Sequence, residues 1–482
     1  MIFTSISFAL FFLIVSVVYY VVPAKIRWIW LLISSIFFYT YSDPFYILIA
    51  FTIIGITFFS GKIMQKSTPE KAFQIYVLAI IANISLLIFF KYTNFFTTSA
   101  FEFLNFTRLN IFQSSRVYNN FLLINIIAPL GISYLTFQAI GYLVEIKREN
   151  HKAETNLGHF ATFLLFFPKI IAGPVERAHN FLPQIKQKKS FDYYNISTGL
   201  KLILWGLFKK LVVADRLSLY VSAVLGNVEH HSGISVIVAV VFYLFQMYAD
   251  FSGYSDMAVG FAKILGFDIL QNFNRPLLAK SMTEFWRKWH ISLSTWFADY
   301  FYNPIAVSKR DWGKWGVVYA FFITFIVLGF WHGANWTFIV FGALQGFILT
   351  IEFFTRKARK KFRKRIPSII NSFFGVAFTI SFYSFSLIFF RAKNIDQALS
   401  IIKQIFTAKG ALYISNPTVI LFSILSIIFL FLAEIKDEFY NNLFTFSAHR
   451  NWLVRNAYYC FLLFVILIAG VFDGGEFIYF QF

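Results

Sequence analysis

One cysteine, Cys460, stands in 482 residues, so no intrachain disulfide can form and no cysteine zinc site can be assembled. Its neighbours Tyr459, Phe461 and Leu462 are apolar, which reads as a small core residue rather than a reactive thiol. Charge is scarce too. Only 14% of residues are Asp, Glu, Lys or Arg, and 58% are hydrophobic, whereas soluble domains carry about a quarter charged residues. That deficit excludes a soluble enzyme, a disordered chain and a secreted disulfide scaffold. Acids are scarcer than bases, 23 against 43, leaving a net charge of +20. Because the bases lie between apolar runs, they read as cytoplasmic loop residues that orient membrane spans and meet anionic lipid, and no nucleic-acid partner is expected.

A helix needs roughly 20 mostly apolar residues to cover about 30 Å of hydrocarbon. Residues 2–22 form the first such run, with no basic segment or small-residue cleavage site ahead of it, so it reads as a retained span. Lys25 and Arg27 follow at once, which places the N-terminus outside the cytoplasm. Residues 28–41 and 45–60 pair around Ser42-Asp43-Pro44 and return to Lys62, Lys66 and Lys71. Residues 73–90 lead to a mixed loop over 93–119, and 120–142 return to Lys147, Arg148 and Lys152. Residues 157–171 are apolar but short and end in Ala172-Gly173-Pro174, as a re-entrant segment would. The run 199–225 is broken by Lys209, Lys210, Asp215 and Arg216, which predicts an interfacial or strongly tilted helix. Further spans are expected over 235–249, 317–331, 336–354, 372–390, 419–432 and 458–471. The expectation is an all-α polytopic membrane protein, with about 11 spanning helices plus re-entrant and interfacial ones. It forms a single integral-membrane domain over 1–482, without an internal repeat.

Two stretches break the apolar pattern. In 281–300, apolar residues recur at Phe285, Trp286, Trp289, Leu293, Trp296 and Phe297, spacings that predict one face of an amphipathic helix in the interface. The tryptophans would be belt residues, and Arg287 and Lys288 would face lipid phosphate. His290 beside Trp289 is left over by that account. The second stretch is Leu328-Gly-Phe-Trp-His332-Gly-Ala-Asn-Trp-Thr337. An ionisable residue between apolar spans faces protein or water and points to function first; a histidine that only bridges helices is the plain alternative. Gly333 and Ala334 would leave space around the ring, and Asn335 offers a donor and an acceptor. A neutral imidazole there can take a proton from a hydroxyl. Lys309, Arg310 and Lys314 on one side and the basic run 356–365 on the other make 315–355 an out-and-back pair with His332 near its turn.

These two histidine segments resemble the membrane-bound O-acyltransferase superfamily, most closely its alginate O-acetyltransferase branch. The resemblance is carried by Phe285-Trp-Arg-Lys-Trp-His-Ile-Ser-Leu-Ser-Thr-Trp-Phe297 with Asp299-Tyr300, and by Gly329-Phe-Trp-His-Gly-Ala-Asn-Trp-Thr337. Pro129-Leu-Gly-Ile-Ser-Tyr134, Phe167-Pro-Lys-Ile-Ile-Ala-Gly-Pro174, Asp250-Phe-Ser-Gly-Tyr-Ser-Asp256, Met1-Ile-Phe-Thr-Ser5 and Phe477-Ile-Tyr-Phe-Gln-Phe482 extend it nearly end to end. Ala298 stands where relatives usually carry Arg, and Ser308-Lys-Arg-Asp-Trp312 replaces a Gly-Gly-Asn-type loop.

The resemblance implies transfer of an acyl group, usually acetyl, from a cytoplasmic thioester such as acetyl-CoA to a hydroxyl. It maps the two histidines of the family onto His332 and His290. It further implies an inner-membrane location, no bound cofactor, a polysaccharide acceptor, and an extracytoplasmic esterase-like partner that completes the transfer. Trp289, Trp331, Asn335 and Asp250 are the candidate substrate-contacting residues, although Asp250 and Asp256 read first as helix caps. D-alanyl transfer to teichoic acid and O-acetylation of peptidoglycan or cellulose are rival outcomes of the same chemistry. A transporter or flippase for lipid-linked sugar is the rival from another class, but the paired halves typical of such folds are not visible. His230 and His231 read as surface residues rather than a metal pair, and no metal site is expected.

Overall fold

The computed structural model describes residues 1–41, 44–106, 129, 131–414, 416–439, 451–474 and 477–478. The polar turn at Ser42-Asp43, the start of the 120–142 run, Leu130 and the closing Tyr479–Phe482 lie outside the described residues. Every regular element among the described residues is helical.

The chain folds as two compact units, Met1–Phe191 with Gly266–Ile269, and Asp192–Leu265 with Leu270–Phe482. The first unit holds α1 (Ile6–Val21), α2 (Arg27–Thr40), α3 (Tyr46–Lys66), α4 (Pro69–Leu87), α5 (Thr93–Phe106), α6 (Ile132–Lys147), α7 (Leu157–Leu165) and α8 (Ala178–Lys186). Their ends follow local chemistry. Ser5 caps α1 by accepting from the Phe8 N–H at 3.2 Å. Pro69 opens α4, where a missing N–H costs nothing, and Glu70 meets the positive helix end. A π-helical turn over Ile88–Tyr92 joins α4 to α5. The stretch read as a mixed loop is therefore helical as far as Phe106, and its polar Thr97 is accommodated by donating to the Thr93 carbonyl at 3.0 Å.

α7 is nine residues long, capped by Asn156, and gives way to turns that remain buried through Glu176. This is the short, covered, irregular segment expected at 157–171. Within it the Lys169 ammonium sits 4.3 Å from the Phe163 ring centroid and hydrogen-bonds Gln138.

The second unit begins with α9 (Tyr193–Leu207), a π-helical segment over Phe208–Ala214 and α10 (Asp215–Gly226), all packed along the 32-residue α11 (Gly233–Ile264). Two short helices follow, α12 (Met282–Lys288) and α13 (Ile291–Phe297), then α14 (Asn303–Ser308). The expected out-and-back pair is present as α15 (Lys314–His332) and α16 (Trp336–Arg363), which pack closely. Gly342 makes that approach possible, since a Cβ there would lie 2.1 Å from the Phe325 carbonyl oxygen. The set ends with α17 (Ser368–Arg391), α18 (Ile395–Thr407), α19 (Pro417–Phe439) and α20 (Trp452–Ala469).

Eight helices among the described residues are long and apolar enough to cross a membrane, against the 11 expected. The three other expected spans are 2–22, whose helix α1 has 16 residues, 28–41, and 120–142, which begins outside the described residues. The run at 28–41 becomes the 14-residue α2, which rises only about 21 Å. The run at 199–225 is divided among α9, a π-segment and α10 rather than forming a single tilted helix, and its Lys209, Lys210 and Asp215 are buried and paired. Cys460 is exposed on α20 rather than in the core, on a helix whose apolar window is only 17% buried.

Candidate active site

Both histidines lie in the second unit, at the ends of helices rather than within them. His332 is the last residue of α15, 6% exposed, and the chain turns extended at Gly333. Gly333 does not leave space: a Cβ there would fall 2.1 Å from a Phe338 ring carbon, so glycine lets that ring close over the turn. Asn335 is committed elsewhere. Its side-chain oxygen caps α16 by accepting from the Thr337 N–H at 3.0 Å, and its amide donates to the Lys393 carbonyl at 2.8 Å. The His332 ring is bounded instead by aromatic faces: Trp331 at 4.8 Å, Phe390 at 5.2 Å and Phe341 at 6.4 Å between centroids.

His290 breaks the helix predicted through it. Trp289 is extended and His290 adopts φ 44° and ψ 53°, a left-handed conformation that non-glycine residues seldom take. The break is held by backbone pairing on both sides: the Asn274 N–H reaches the Lys288 carbonyl at 2.9 Å, and the Ile291 N–H reaches the Asn272 carbonyl at 2.8 Å. The tryptophans are therefore core rather than belt. Trp289 is 2% exposed, stacked on Phe285 at 5.3 Å and edge-on to Phe273 at 5.1 Å. Lys288 faces Glu438 at 2.8 Å and Glu284 at 3.2 Å rather than lipid phosphate.

The kink turns the His290 ring inward. It is 1% exposed, edge-on to Phe251 at 4.6 Å, and 6.4 Å from the centroid of Trp331. Neither ring nitrogen hydrogen-bonds another described residue. Burial pushes its pKa down to about 3, against a smaller upward pull from its own backbone, so the ring is neutral at physiological pH. Trp331 thus contacts both imidazoles, which lie 42 positions apart in sequence. A cavity of about 440 Å³ in the same unit is lined by Thr283, Arg287, Ile291, Ser294, Thr324 and Leu328 among others, and none of His290, Trp331 and His332 is part of its lining. Ile291 follows His290 directly, and Leu328 lies one helical turn before His332.

Three features around the site were missed in the sequence. Glu352, buried on α16, accepts from the Met282 N–H at 3.0 Å, the Thr283 N–H at 2.9 Å and the Thr283 hydroxyl at 2.6 Å. It thereby holds the first turn of α12 from a distant helix, an N-cap supplied in trans. Glu438 grips the other side through Arg275 at 2.6 Å and Lys288 at 2.8 Å. For Glu352 the available signal was a lone carboxylate closing an apolar run, whereas Glu438 stands among Glu434, Lys436 and Asp437 and carries no such mark.

The third feature corrects the reading of Asp250 and Asp256 as caps. Both lie inside α11, where every backbone N–H is already used, so their carboxylates turn to lysines instead. Asp250 pairs with Lys210 at 2.8 Å, Lys210 also meets Asp215 at 2.8 Å, and Asp256 meets Lys209 at 2.7 Å. Burial pushes the Asp215 carboxyl up to about 6, with Lys210 pulling it down and Asp250 pushing it up. The second oxygen of Asp250 accepts the Ile478 N–H at 2.8 Å, and Phe477 stacks on Tyr254 at 4.6 Å. Asp250 and Phe251 are consecutive, so this cluster anchors the turn of α11 whose ring backs His290. His231 rests edge-on against Tyr413 at 4.5 Å, and among the described residues no group of three or more His, Cys, Asp or Glu is gathered as a metal site.

Comparison with known proteins agrees with this geometry. The profile of the family described as MBOAT, membrane-bound O-acyltransferase family, matches residues 71–391, which takes in both histidine segments. The "Peptidoglycan O-acetyltransferase" of Helicobacter pylori is 33% identical over 410 residues, covering 79% of this chain and 74% of that protein. The "Probable alginate O-acetylase AlgI" of Pseudomonas aeruginosa is 32% identical over 410 residues, covering 84% and 75%. The "Teichoic acid D-alanyltransferase" of Bacillus subtilis is 29% identical over 276 residues, covering 56% and 70%. With two buried histidines set against one tryptophan in a multi-pass helical membrane protein, this chain belongs to the membrane-bound O-acyltransferase family, enzymes that transfer acyl groups to hydroxyls.

Proposed function

We propose that this acyltransferase moves an acetyl group from a cytoplasmic thioester, acetyl-CoA in the first instance, towards a hydroxyl of a cell-envelope or extracellular polysaccharide, with His332 as the general base. The observation that carries the reading is the contact of Trp331 with both imidazoles, which brings two buried rings together between aromatic walls.

In the transfer, a ring nitrogen of His332 takes the acceptor hydroxyl proton as the oxygen attacks the thioester carbonyl carbon. The tetrahedral intermediate collapses with cleavage of the carbon–sulfur bond. The proton passes from His332 to the departing thiolate, so the products are the ester and the free thiol. His290, neutral and pinned by its backbone, orients the donor or donates to the carbonyl oxygen. Trp289 and Trp331 supply rigid walls. Asn335 and Asp250 act through structure: one caps α16 and the other anchors the wall behind His290.

The basic loops draw the anionic donor and sit in the cytoplasm, which leaves the N-terminus outside an inner membrane. An extracytoplasmic esterase-like partner completes delivery to polymer. The relatives named for alginate and peptidoglycan support acetyl as the acyl group. The relative named for teichoic acid D-alanylation supports D-alanyl as the second reading.

The test is a cell lacking the native copy, complemented with wild type, His332→Ala or His290→Ala, and fed labelled acetate or labelled D-alanine. Ester-linked label is then read on isolated surface polymer by mass spectrometry. Acetate label present with wild type and lower by about 10² to 10⁴ with His332→Ala supports the proposal. Full label with His332→Ala overturns the role of that ring, and D-alanine label in place of acetate overturns the donor.

A further inference from the structure

We propose that the groove between α9 and α20 is a binding site for the headgroup of an anionic phospholipid, separate from the acyl-transfer pocket. It encloses about 470 Å³ and is lined by Tyr193, Ser197, Lys201, Arg455, Asn456 and Tyr459, with Ile196, Leu200 and Leu204 on its apolar side.

Three observations point to this ligand. The first is charge. Lys201 and Arg455 face the groove, and neither has a carboxylate within ion-pair distance among the described residues. The Lys201 ammonium instead lies over the Tyr459 ring at 5.6 Å. The nearby acids are turned to other tasks: Asp192 caps α9 by accepting from the Tyr194 N–H at 2.9 Å, and Asp437, close enough to Tyr458 to act on its hydroxyl, has Lys436 at 4.0 Å. Two cations with Ser197 and Asn456 beside them form the donor set that phosphate oxygens require.

The second observation is depth. Tyr193 and Tyr194 open α9 and Trp452 opens α20, and these three residues are 78%, 70% and 61% exposed. Exposed tyrosine and tryptophan at helix ends mark the water–hydrocarbon boundary, where headgroups lie. The third is the apolar side. Leu200 and Leu204 continue the groove along a helix pair whose α20 member is 17% buried and so faces acyl chains over most of its length. A free phosphate would use the cations and leave the leucines wet, whereas a lipid uses both.

Juxtamembrane Lys and Arg residues each strengthen anionic-lipid binding, and two of them removed together lower it by about 10-fold or more. The test is native mass spectrometry of the full-length protein released from nanodiscs of phosphatidylglycerol or of phosphatidylcholine, comparing wild type with the double variant Lys201→Gln/Arg455→Gln. Retained phosphatidylglycerol on wild type, none from phosphatidylcholine, and a fall of about 10-fold in the double variant at unchanged thermal stability support the site. Ser197→Leu, which fills the groove and keeps both charges, then also lowers retention. Equal retention by wild type and double variant overturns the proposal. So does displacement of the lipid by inorganic phosphate at equal concentration, which assigns the groove to a free anion. Loss of a copurifying protein in the double variant, with the lipid adduct intact, assigns the groove to a protein partner and overturns it too.

Discussion

Glu352 offers the sharpest test of how the fold positions His290. Replacing it with alanine removes the acceptor for two backbone N–H groups, Met282 at 3.0 Å and Thr283 at 2.9 Å, and for the Thr283 hydroxyl at 2.6 Å. A hydrogen bond to a charged group contributes about 1.5–3 kcal/mol, and a buried donor left unmet costs about 1–3 kcal/mol. Met282 is buried and loses its partner outright, whereas Thr283 is exposed and regains water. The destabilisation is therefore about 3–4 kcal/mol rather than the full sum. Arg359, 3.6 Å from the same carboxylate and one-third exposed, adds less than about 1 kcal/mol.

The catalytic consequence is larger than the stability loss suggests. α12 ends two residues before His290, and its first turn is the point that Glu352 fixes. A displacement of about 1 Å at a positioned group costs on the order of 10² in rate. Purified Glu352→Ala in detergent should unfold at a lower temperature, and its kcat should drop by at least about tenfold with little change in donor KM. Glu352→Gln keeps one acceptor oxygen and should fall between. Wild-type melting and wild-type kcat in Glu352→Ala would refute the reasoning.

The remaining predictions concern the same unit. His290 stays neutral in the folded protein down to about pH 3 but protonates in the unfolded chain below its ordinary value. The unfolded state then binds the extra proton, so stability falls as pH drops through that window, by about 1.4 kcal/mol per pH unit; His290→Phe should show a shallower loss of melting temperature between pH 7 and 5. Gly333→Ala drives a methyl into the Phe338 ring and should cost about 1–3 kcal/mol together with most of the activity, read by melting and acetyl transfer. Asp250→Ala leaves Lys210 to Asp215 alone and frees the Ile478 N–H, a loss of about 3–5 kcal/mol in thermal unfolding. Asp250→Asn, which can still accept that N–H, should lose less.

Much was legible in the sequence because hydropathy alone enforces it. Apolar runs near 20 residues must be helices in lipid, so α3, α4, α11, α15, α16, α17, α19 and α20 were all anticipated. His332 was legible for the same reason: an ionisable side chain between two such runs stands out. Periodicity misled at His290, where spacings of three and four continue through Trp289 although backbone bonds from Asn272 and Asn274 break the helix. Apolar neighbours misled at Cys460, since in a membrane protein an apolar setting marks lipid as readily as core.

The sequence by itself determined that this chain is a helical membrane protein with two unusual histidines, since burial of backbone polar groups in lipid leaves no other architecture open to it. Only the tertiary structure decided that the two rings meet at Trp331, that Asn335 is a cap and Asp250 an ion pair, and that Glu352 holds the helix leading to His290. Those pairings join residues tens to hundreds of positions apart, and a local pattern carries no information on which distant group will satisfy a buried donor or charge.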